Sequence, residues 1–280
     1  MPHRLSLVDV FAETPFSGNP LAVVHEADGL SSEAMQRITR WHNLSETAFL
    51  LRPTIEGADY RVRIFTLSRE LPFAGHPTLG SCQAWLDAGG LPQQNDEIVQ
   101  ECGVGLVRIR PSADGRLAFA APPLRRAGSV EETTVQAAAR QLGLAREQIS
   151  AAQWADNGPG WLAVVLPSVE QLLAISPQRN PATPLKVGAI AFYDSGAAAY
   201  AVRTFFPDQQ GTIFEDPVTG SFNAAAAQWL LQRGQVSAPY AVRQGQALGR
   251  DGWLFIDQSA DGTVWVGGRA LSLVAGETAW

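Results

Sequence analysis

The stretch EDPVTGSFNAAAAQWLL, Glu215 to Leu231, is the part of the sequence from which the fold can be worked out. Its second half, from Phe222 onward, is rich in alanine and predicts a helix. Its first half predicts the helix start, because Pro217 suits a first helical turn and the acidic residues before it suit the positive end of the helix dipole. The small residues Gly220 and Ser221 would let a ligand or another backbone approach the free N–H groups there. The stretch therefore predicts either an anion site or an ordinary capped helix packed against a neighbour.

A second stretch repeats this pattern half a chain earlier. HPTLGSCQAWL, His76 to Leu86, also has a proline before a Gly-Ser pair and then a helix-forming run. Pro217 follows Pro77 by 140 residues, and the sequence LAVV begins at both Leu21 and Leu162, an offset of 141. Because the chain has 280 residues, this offset is half its length. The sequence therefore predicts two similar halves with a functional site at their junction.

Composition limits the class of protein. The length suits two domains of about 100–150 residues each. A net charge of −6, a pI near 5.3 and the absence of a Lys/Arg stripe argue against nucleic-acid binding. No apolar run reaches the ~18 residues of a membrane span, and no signal-peptide pattern opens the chain. Cys82 and Cys102 form no C-x-x-C pattern, so we expect a cytoplasmic protein with reduced thiols and no metal site.

Two polar residues outside the main stretch are candidates for chemistry. Glu46 lies in a predicted strand among apolar and small residues, where burial would raise the pKa of its carboxyl group and suit it to general acid–base catalysis. The alternative is a solvent-facing glutamate on an edge strand. His76 precedes Pro77 and either has its pKa lowered by the helix dipole or merely caps the helix. In the second half, Asp216 takes the position that His76 has in the first.

Other predictions concern single elements. Ser31 is the predicted N-cap of a helix that carries Met35, Ile38 and Trp41 on one face. The segment Gly18-Asn19-Pro20 either lines a site through its backbone or, as we favour, is a plain hairpin connection. A strand at Leu117–Ala121 is predicted to open the second half of the chain.

Four motifs together resemble the PhzF-like proteins of phenazine biosynthesis, and they are DVFAETPFSGNPLAVV (Asp9–Val24), NLSET (Asn43–Thr47), PFAGHPTLG (Pro72–Gly80) and EDPVTGS (Glu215–Ser221). The resemblance covers the whole chain. It implies an α+β fold of the diaminopimelate-epimerase type, with two pseudo-symmetric domains, each a sheet or barrel wrapped round a central helix, and an active site in the cleft between them. The expected domains are residues 1–115 with about 270–280, and residues 116–269.

The resemblance also implies roles for the motif residues. Glu46 of NLSET is expected to be the acid/base that moves a proton, while His76 and Asp216 flank the substrate. The expected substrate-binding residues share small size and motif membership, and they are Ser45, Gly75, Gly220 and Ser221. The last two would hold a substrate carboxylate at the second helix start.

The implied function is that of an isomerase without metal or organic cofactor. It would move a proton between carbons of a small cyclic carboxylate, like trans-2,3-dihydro-3-hydroxyanthranilate isomerase, and the family implies a homodimer. Related epimerases and racemases of this fold use a cysteine at each helix entrance, whereas Cys82 and Cys102 lie elsewhere, so a two-thiol racemase is not expected. The alternatives are a hydrolase or lyase on the same Glu/His/Asp site, and a non-catalytic binding or scaffold protein.

Overall fold

The computed structural model describes residues 2–94 and 96–280. The chain divides into two compact units, residues 1–120 with 267–280, and residues 121–266. Each unit consists of a sheet with a central helix and smaller helices outside it.

The helices and strands, in chain order, are β1 (Arg4–Val10), β2 (Asn19–Val24), α1 (Ser32–His42), β3 (Glu46–Leu51), β4 (Tyr60–Thr66), β5 (Glu70–Leu71), α2 (Gly75–Asp87), β6 (Ile98–Cys102), β7 (Gly105–Pro111), β8 (Leu117–Ala120), β9 (Arg126–Gly128), α3 (Glu132–Leu142), β10 (Ala151–Asp156), β11 (Leu162–Val165), α4 (Val169–Leu173), β12 (Val187–Phe192), β13 (Tyr200–Pro207), β14 (Ile213–Asp216), α5 (Gly220–Gln232), β15 (Tyr240–Gln244), β16 (Gly252–Gln258), β17 (Val264–Gly268) and β18 (Ala270–Glu277).

Strand pairing is the same in the two units. In the first, β1 is antiparallel to β2, β2 parallel to β3, β3 antiparallel to β4, and β4 parallel to β6 and antiparallel to β5. In the second, β10 to β15 repeat this order of parallel and antiparallel pairs. The register also repeats. Thr47 is paired with Phe65 in the first unit, and Val187 and Phe205, each 140 residues later, are paired in the second. The half-length repeat in the sequence is therefore a repeat of structure.

An arginine–glutamate ion pair recurs at matching positions, buried in the second unit and more exposed in the first. Arg63 of β4 forms a two-bond fork with Glu70, and Arg203 of β13 forms the same fork with Glu215. Each guanidinium also lies 5.1 Å from the ring of the phenylalanine two residues along its own strand. Within the first unit the fork joins β4 to β5, and within the second it joins the corresponding strands β13 and β14. The duplication therefore extends to side-chain contacts.

The helices α2 and α5 are buried around their whole circumference over residues 75–82 and 222–227, which is the property of a central helix. α2 packs on β1, β2, β3 and β18 in the first unit, and α5 packs on β10 and β16 in the second. Gly80 permits the close packing of α2, because a Cβ there would lie 2.6 Å from Leu21 Cδ2 and 2.9 Å from Val10 Cγ2. In the second unit, Gly188 does the same for the ring of Phe222 on α5.

Three predictions about single elements need correction. Pro217 lies outside α5, which begins at Gly220, because β14 continues to Asp216 and an irregular segment follows. Trp41 does not share the buried face of α1, since it is 82% exposed while Met35 is fully buried. The strand at Leu117–Ala120 belongs to the first unit because it pairs with β7 across the turn before it. The predicted N-cap Ser31 is confirmed by its bond to the N–H of Ala34.

Candidate active site

The first group of candidate residues lies in the first unit, at the start of two parallel strands. Asn19 is the first residue of β2, Glu46 the first of β3, and His76 the second of α2. Parallel strands begin at the same edge of a sheet, and α2 packs on both β2 and β3. Residues far apart in sequence are thereby brought together at one edge.

Glu46 and His76 are in contact, with 3.5 Å between Glu46 Oε2 and His76 Nε2. Their side chains are 15% and 5% exposed. On the other side of the ring, the Asn19 amide nitrogen lies 3.5 Å from His76 Nδ1. Because this amide nitrogen can only donate, Nδ1 is the acceptor and the proton of the neutral ring is on Nε2, facing Glu46. Ser45 donates to Asn19 Oδ1 at 3.4 Å and so sets the orientation of the amide.

Burial lowers the pKa of His76 to about 3. The imidazole is therefore neutral at physiological pH, and its contact with Glu46 is that of a neutral N–H with a carboxyl group and not an ion pair. The lowered pKa expected for His76 at the helix start agrees with this, and burial is its cause.

The turn before β2 holds Asn19 in place. The Gly18 N–H donates to Asp9 Oδ1 at 3.1 Å, and a Cβ at Gly18 would lie only 2.1 Å from the Val10 carbonyl oxygen. This is a close backbone approach that only glycine permits. The segment favoured as a plain hairpin connection therefore directs the amide of Asn19 to His76. Sequence reasoning considered only the backbone of this segment and missed the side chain of Asn19, although an asparagine opening a buried strand was the available signal.

The second group lies in the second unit around Asp216, which ends β14 and is paired with Thr204 of β13. Thr219 donates its hydroxyl hydrogen to Asp216 Oδ2 at 2.5 Å, and the Thr204 hydroxyl lies 2.6 Å from that of Thr219. Gln244 accepts from the Thr219 N–H and the Asn223 amide, and donates to both threonine hydroxyls. All five side chains are buried, so their hydrogen bonds fix the carboxylate of Asp216 rigidly.

The start of α5 has no side-chain cap, because the hydroxyl of its N-cap Thr219 donates to Asp216 and accepts from the Gln244 amide and the Thr204 hydroxyl. Gly220 and Ser221 are the first two helical residues. Ser221 is held by its neighbours: the Trp161 indole N–H donates to its hydroxyl at 3.1 Å, and the Asn157 amide donates to its carbonyl at 2.9 Å. N–H groups of a first turn without a cap are available to an anion.

The remaining predicted residues are placed as follows. Gly75 is the buried first residue of α2, directly before His76, and its N-cap Ala74 likewise supplies no side-chain cap. Ser45 contacts Asn19. The structure thus gathers Ser45, Glu46, Gly75 and His76 in the first unit, and Asp216, Gly220 and Ser221 in the second. Sequence reasoning did not find Thr204, Thr219, Asn223 and Gln244, which are ordinary polar residues recognisable only by their shared hydrogen bonds.

The two cysteines do not have the properties of acid/base thiols. Both are buried, and burial raises the pKa of Cys82 to about 12 and also raises the pKa of Cys102. In residues 2–94 and 96–280, no three His, Cys, Asp or Glu side chains are grouped so that they could hold a metal ion. In the same residues no helix is long and apolar enough to cross a membrane.

Comparison with known proteins gives matches along the whole chain. A family profile described as phenazine biosynthesis-like protein matches residues 8–276. The chain is 34% identical to "Antisense-enhancing sequence 1" of Schizosaccharomyces pombe, covering 99% of this chain and 98% of the relative. It is 32% identical to trans-2,3-dihydro-3-hydroxyanthranilate isomerase of Pseudomonas fluorescens, covering 90% of this chain and 89% of that protein.

A solved structure gives the same result at the level of the fold. The PhzF family protein of Enterococcus faecalis superposes with a TM-score of 0.81 at 28% identity, covering 100% of both chains. The predicted α+β fold of the diaminopimelate-epimerase type is confirmed by these similarities.

Proposed function

Because this chain belongs to the phenazine biosynthesis-like protein family, we propose that it is an isomerase that moves a proton between two carbons of a small cyclic carboxylate. The relative from Pseudomonas fluorescens is named for such a reaction on trans-2,3-dihydro-3-hydroxyanthranilate. That compound is the first substrate to test for this chain.

The observation that carries the proposal is the contact between Glu46 and a neutral, buried histidine. The Glu46 carboxylate takes the proton from one carbon of the substrate, and the resulting carboxylic acid returns it to another carbon, so no electron acceptor or second reactant is needed. Neighbouring unsaturation in the ring delocalises the negative charge between the two steps. His76 Nε2 lies 3.5 Å from Glu46 Oε2, close enough for the neutral ring to orient the carboxyl group during proton transfer.

We assign the other residues to substrate binding. Asp216, fixed by Thr219, flanks the substrate, and the first N–H groups of α5 at Gly220 and Ser221 bind its carboxylate. Ser45 and Gly75 complete the binding residues beside Glu46 and His76. These assignments follow the family resemblance and the uncapped start of α5.

The test is a Glu46→Gln variant, which keeps the shape of the side chain but cannot exchange a proton. We expect it to fold and to bind a cyclic carboxylate, while its rate of substrate turnover and of deuterium uptake from D₂O falls by roughly 10²–10⁴-fold. Glu56→Gln, at an exposed position, is the control and should match the parent. If Glu46→Gln incorporates deuterium as fast as the parent, Glu46 does not carry the proton.

The alternatives predict other products. An isomerase leaves the mass of the substrate in H₂O unchanged, whereas a hydrolase adds water and a lyase releases a fragment, so mass spectrometry of the product separates the three. A parent protein that exchanges no proton with any cyclic carboxylate would be a binding or scaffold protein. A cytoplasmic location and a homodimeric state are part of the same proposal, and light scattering on the purified protein tests the second.

A further inference from the structure

Trp41 is a large apolar side chain that α1 leaves 82% exposed. An indole in water forgoes the free energy of burial, and no role for Trp41 follows from the function proposed above. Trp41 lines an open cleft with a volume of about 350 Å³, which is in the range of small-molecule sites. The residues that line this cleft, called the Trp41 cleft below, are Arg37, Ile38, Trp41, His42 and Trp280.

The walls of the Trp41 cleft come from two parts of the first unit. On α1, Arg37 lies one turn before Trp41, so the two side chains are neighbours on one side of the helix. Trp280 is anchored through Thr278, whose hydroxyl accepts from the His3 N–H at 2.9 Å and whose N–H donates to the His3 carbonyl at 2.8 Å. The Trp280 ring also lies 5.5 Å from the imidazole of His3. Both parts belong to the same compact unit, so the cleft is formed before any ligand binds.

Arg37 gives the Trp41 cleft a positive charge. Its guanidinium forms no ion pair with any residue that the structure describes. Glu33, one turn earlier on α1, has its carboxylate bonded to the N-cap residue Ser31 and does not line the cleft. Burial lowers the pKa of His42, so at neutral pH this ring is uncharged and Arg37 is the charged group of the cleft. The cleft thus combines two indole rings with a guanidinium, in a protein whose net charge is −6.

We infer that the Trp41 cleft binds a planar aromatic anion, with its ring against the indoles of Trp41 and Trp280 and its acidic group on the guanidinium of Arg37. Flat rings stack on indole faces, and an anion pairs with a guanidinium through charge-assisted hydrogen bonds. An uncharged or an aliphatic ligand would use only one of these two features. A protein partner would need about 800 Å² of surface on this side, far more than five residues present. None of the five is assigned above to catalysis or substrate binding, so the inference does not depend on the proposed function.

The test follows the indole N–H signals of the full-length protein by nitrogen-15 NMR while 2-naphthoate, a planar aromatic carboxylate, is added. The chain has eight tryptophans, and the signals that matter are assigned from the variants Trp41→Phe, Trp161→Phe and Trp280→Phe. We expect the Trp41 and Trp280 signals to shift together, with a Kd of roughly 0.1–1 mM for a ligand of this size. 2-Naphthamide, which has the same shape without the charge, should bind about tenfold more weakly. Cyclohexanecarboxylate, which has the charge without the aromatic ring, should also bind more weakly.

Two variants at exposed positions separate the role of the charge from that of the ring. Arg37→Gln should bind 2-naphthoate about tenfold more weakly than the parent and 2-naphthamide equally well. Arg52→Gln, at an arginine of the same unit that does not line the cleft, is the matched control and should bind both ligands like the parent. Trp41→Leu should weaken the binding of both ligands by about fivefold, the effect of one lost ring contact.

Contrary results overturn the inference in distinct ways. Unchanged Trp41 and Trp280 signals would mean that the Trp41 cleft binds no aromatic anion. Equal affinity for 2-naphthoate and 2-naphthamide, or a preference that survives in Arg37→Gln, would mean that Arg37 does not recognise the charge. The Trp161 indole N–H contacts Ser221, so a shift of the Trp161 signal alone would overturn the Trp41 cleft and support the carboxylate site of the proposed function. Trp41 and Trp280 signals that depend on protein concentration without ligand would mean that a second copy of the chain occupies the cleft.

Discussion

Thr219 donates its hydroxyl hydrogen to Asp216 at 2.5 Å instead of capping α5, of which it is the N-cap residue. A threonine hydroxyl has one hydrogen to donate and two acceptor sites, and those of Thr219 are taken up by Asp216, Gln244 and Thr204, so none is directed at the N–H groups of α5. The contact thus fixes the carboxylate and at the same time leaves the helix N–H groups uncapped. This relationship makes the stretch from Asp216 to Ser221 a candidate anion site and not an ordinary helix start.

A Thr219→Val variant tests this relationship. It removes the donor to Asp216 and one hydrogen-bond partner each of the Gln244 amide and the Thr204 hydroxyl, so we expect the free energy of unfolding to fall by about 1–3 kcal/mol. Urea unfolding measures the change, and Thr183→Val, at an exposed threonine, is the control. An unfolding free energy equal to that of the parent would show that the network contributes nothing to stability.

Arg203 and Arg63 provide a matched pair for a second prediction. The Arg203–Glu215 side chains are 5% and 10% exposed, and Arg203 also donates to carbonyls at the end of α4, whereas the Arg63–Glu70 side chains are 20% and 41% exposed. We expect Arg203→Lys to destabilise the protein by about 3 kcal/mol, since lysine cannot make the fork and leaves a buried carboxylate poorly paired. Arg63→Lys should cost less than about 1 kcal/mol. Chemical denaturation of the two variants checks the order, and equal losses would contradict it.

The pKa of His76 predicts how stability depends on pH. The folded-state pKa is about 3 and the ordinary value is 6.5, so at pH values between them the unfolded chain binds a proton that the folded chain does not. The free energy of unfolding therefore rises with pH in this window. The contribution of the neutral His76 is fully present above pH 6.5 and is lost as the pH falls toward 3. His25, whose pKa burial lowers to about 4, acts in the same direction.

Unfolding at several pH values in the parent and in a His76→Asn variant measures the contribution of His76. The slope of stability against pH between about 4 and 6.5 should be shallower in the variant by close to one proton. NMR of the histidine ring should show no titration of His76 between pH 5 and 8. A midpoint for this ring inside that range would mean that His76 is charged during turnover.

Asn19 is predicted to be a positioning residue that acts through His76. Asn19→Leu removes the donor to Nδ1, so the imidazole loses its preference for the tautomer with hydrogen on Nε2. We expect kcat to fall by about tenfold, or more, with a smaller change in KM. Nitrogen-15 shifts of the His76 ring should show a mixture of tautomers, which a purely structural defect would not produce. An unchanged tautomer with reduced kcat would mean that Asn19 acts in another way.

Several features followed from the sequence alone because their causes are local. The Pro-x-x-Gly-Ser pattern, repeated at an offset of 140, identified both central helices, and the strand pairs that precede each helix recur in the same register. Alanine content, the Ser31 cap and alternating apolar residues depend only on near neighbours in the chain, so they can be interpreted without the tertiary structure.

The contacts that make the site were decided only by the tertiary structure. Asn19 reaches His76 across 57 residues, and Asn157 reaches Ser221 across 64, because β2 begins and β10 ends beside the first turn of a central helix, which no spacing in the sequence reveals. The lowered pKa of His76 depends on complete burial, and burial depends on which side of α2 the sheet covers. α5 begins at Gly220 and not at the predicted Pro217, because the backbone of Asp216 stays paired with Thr204 in the sheet. Pairing with the preceding strand β13 outweighed the local preference of a proline for a helical first turn.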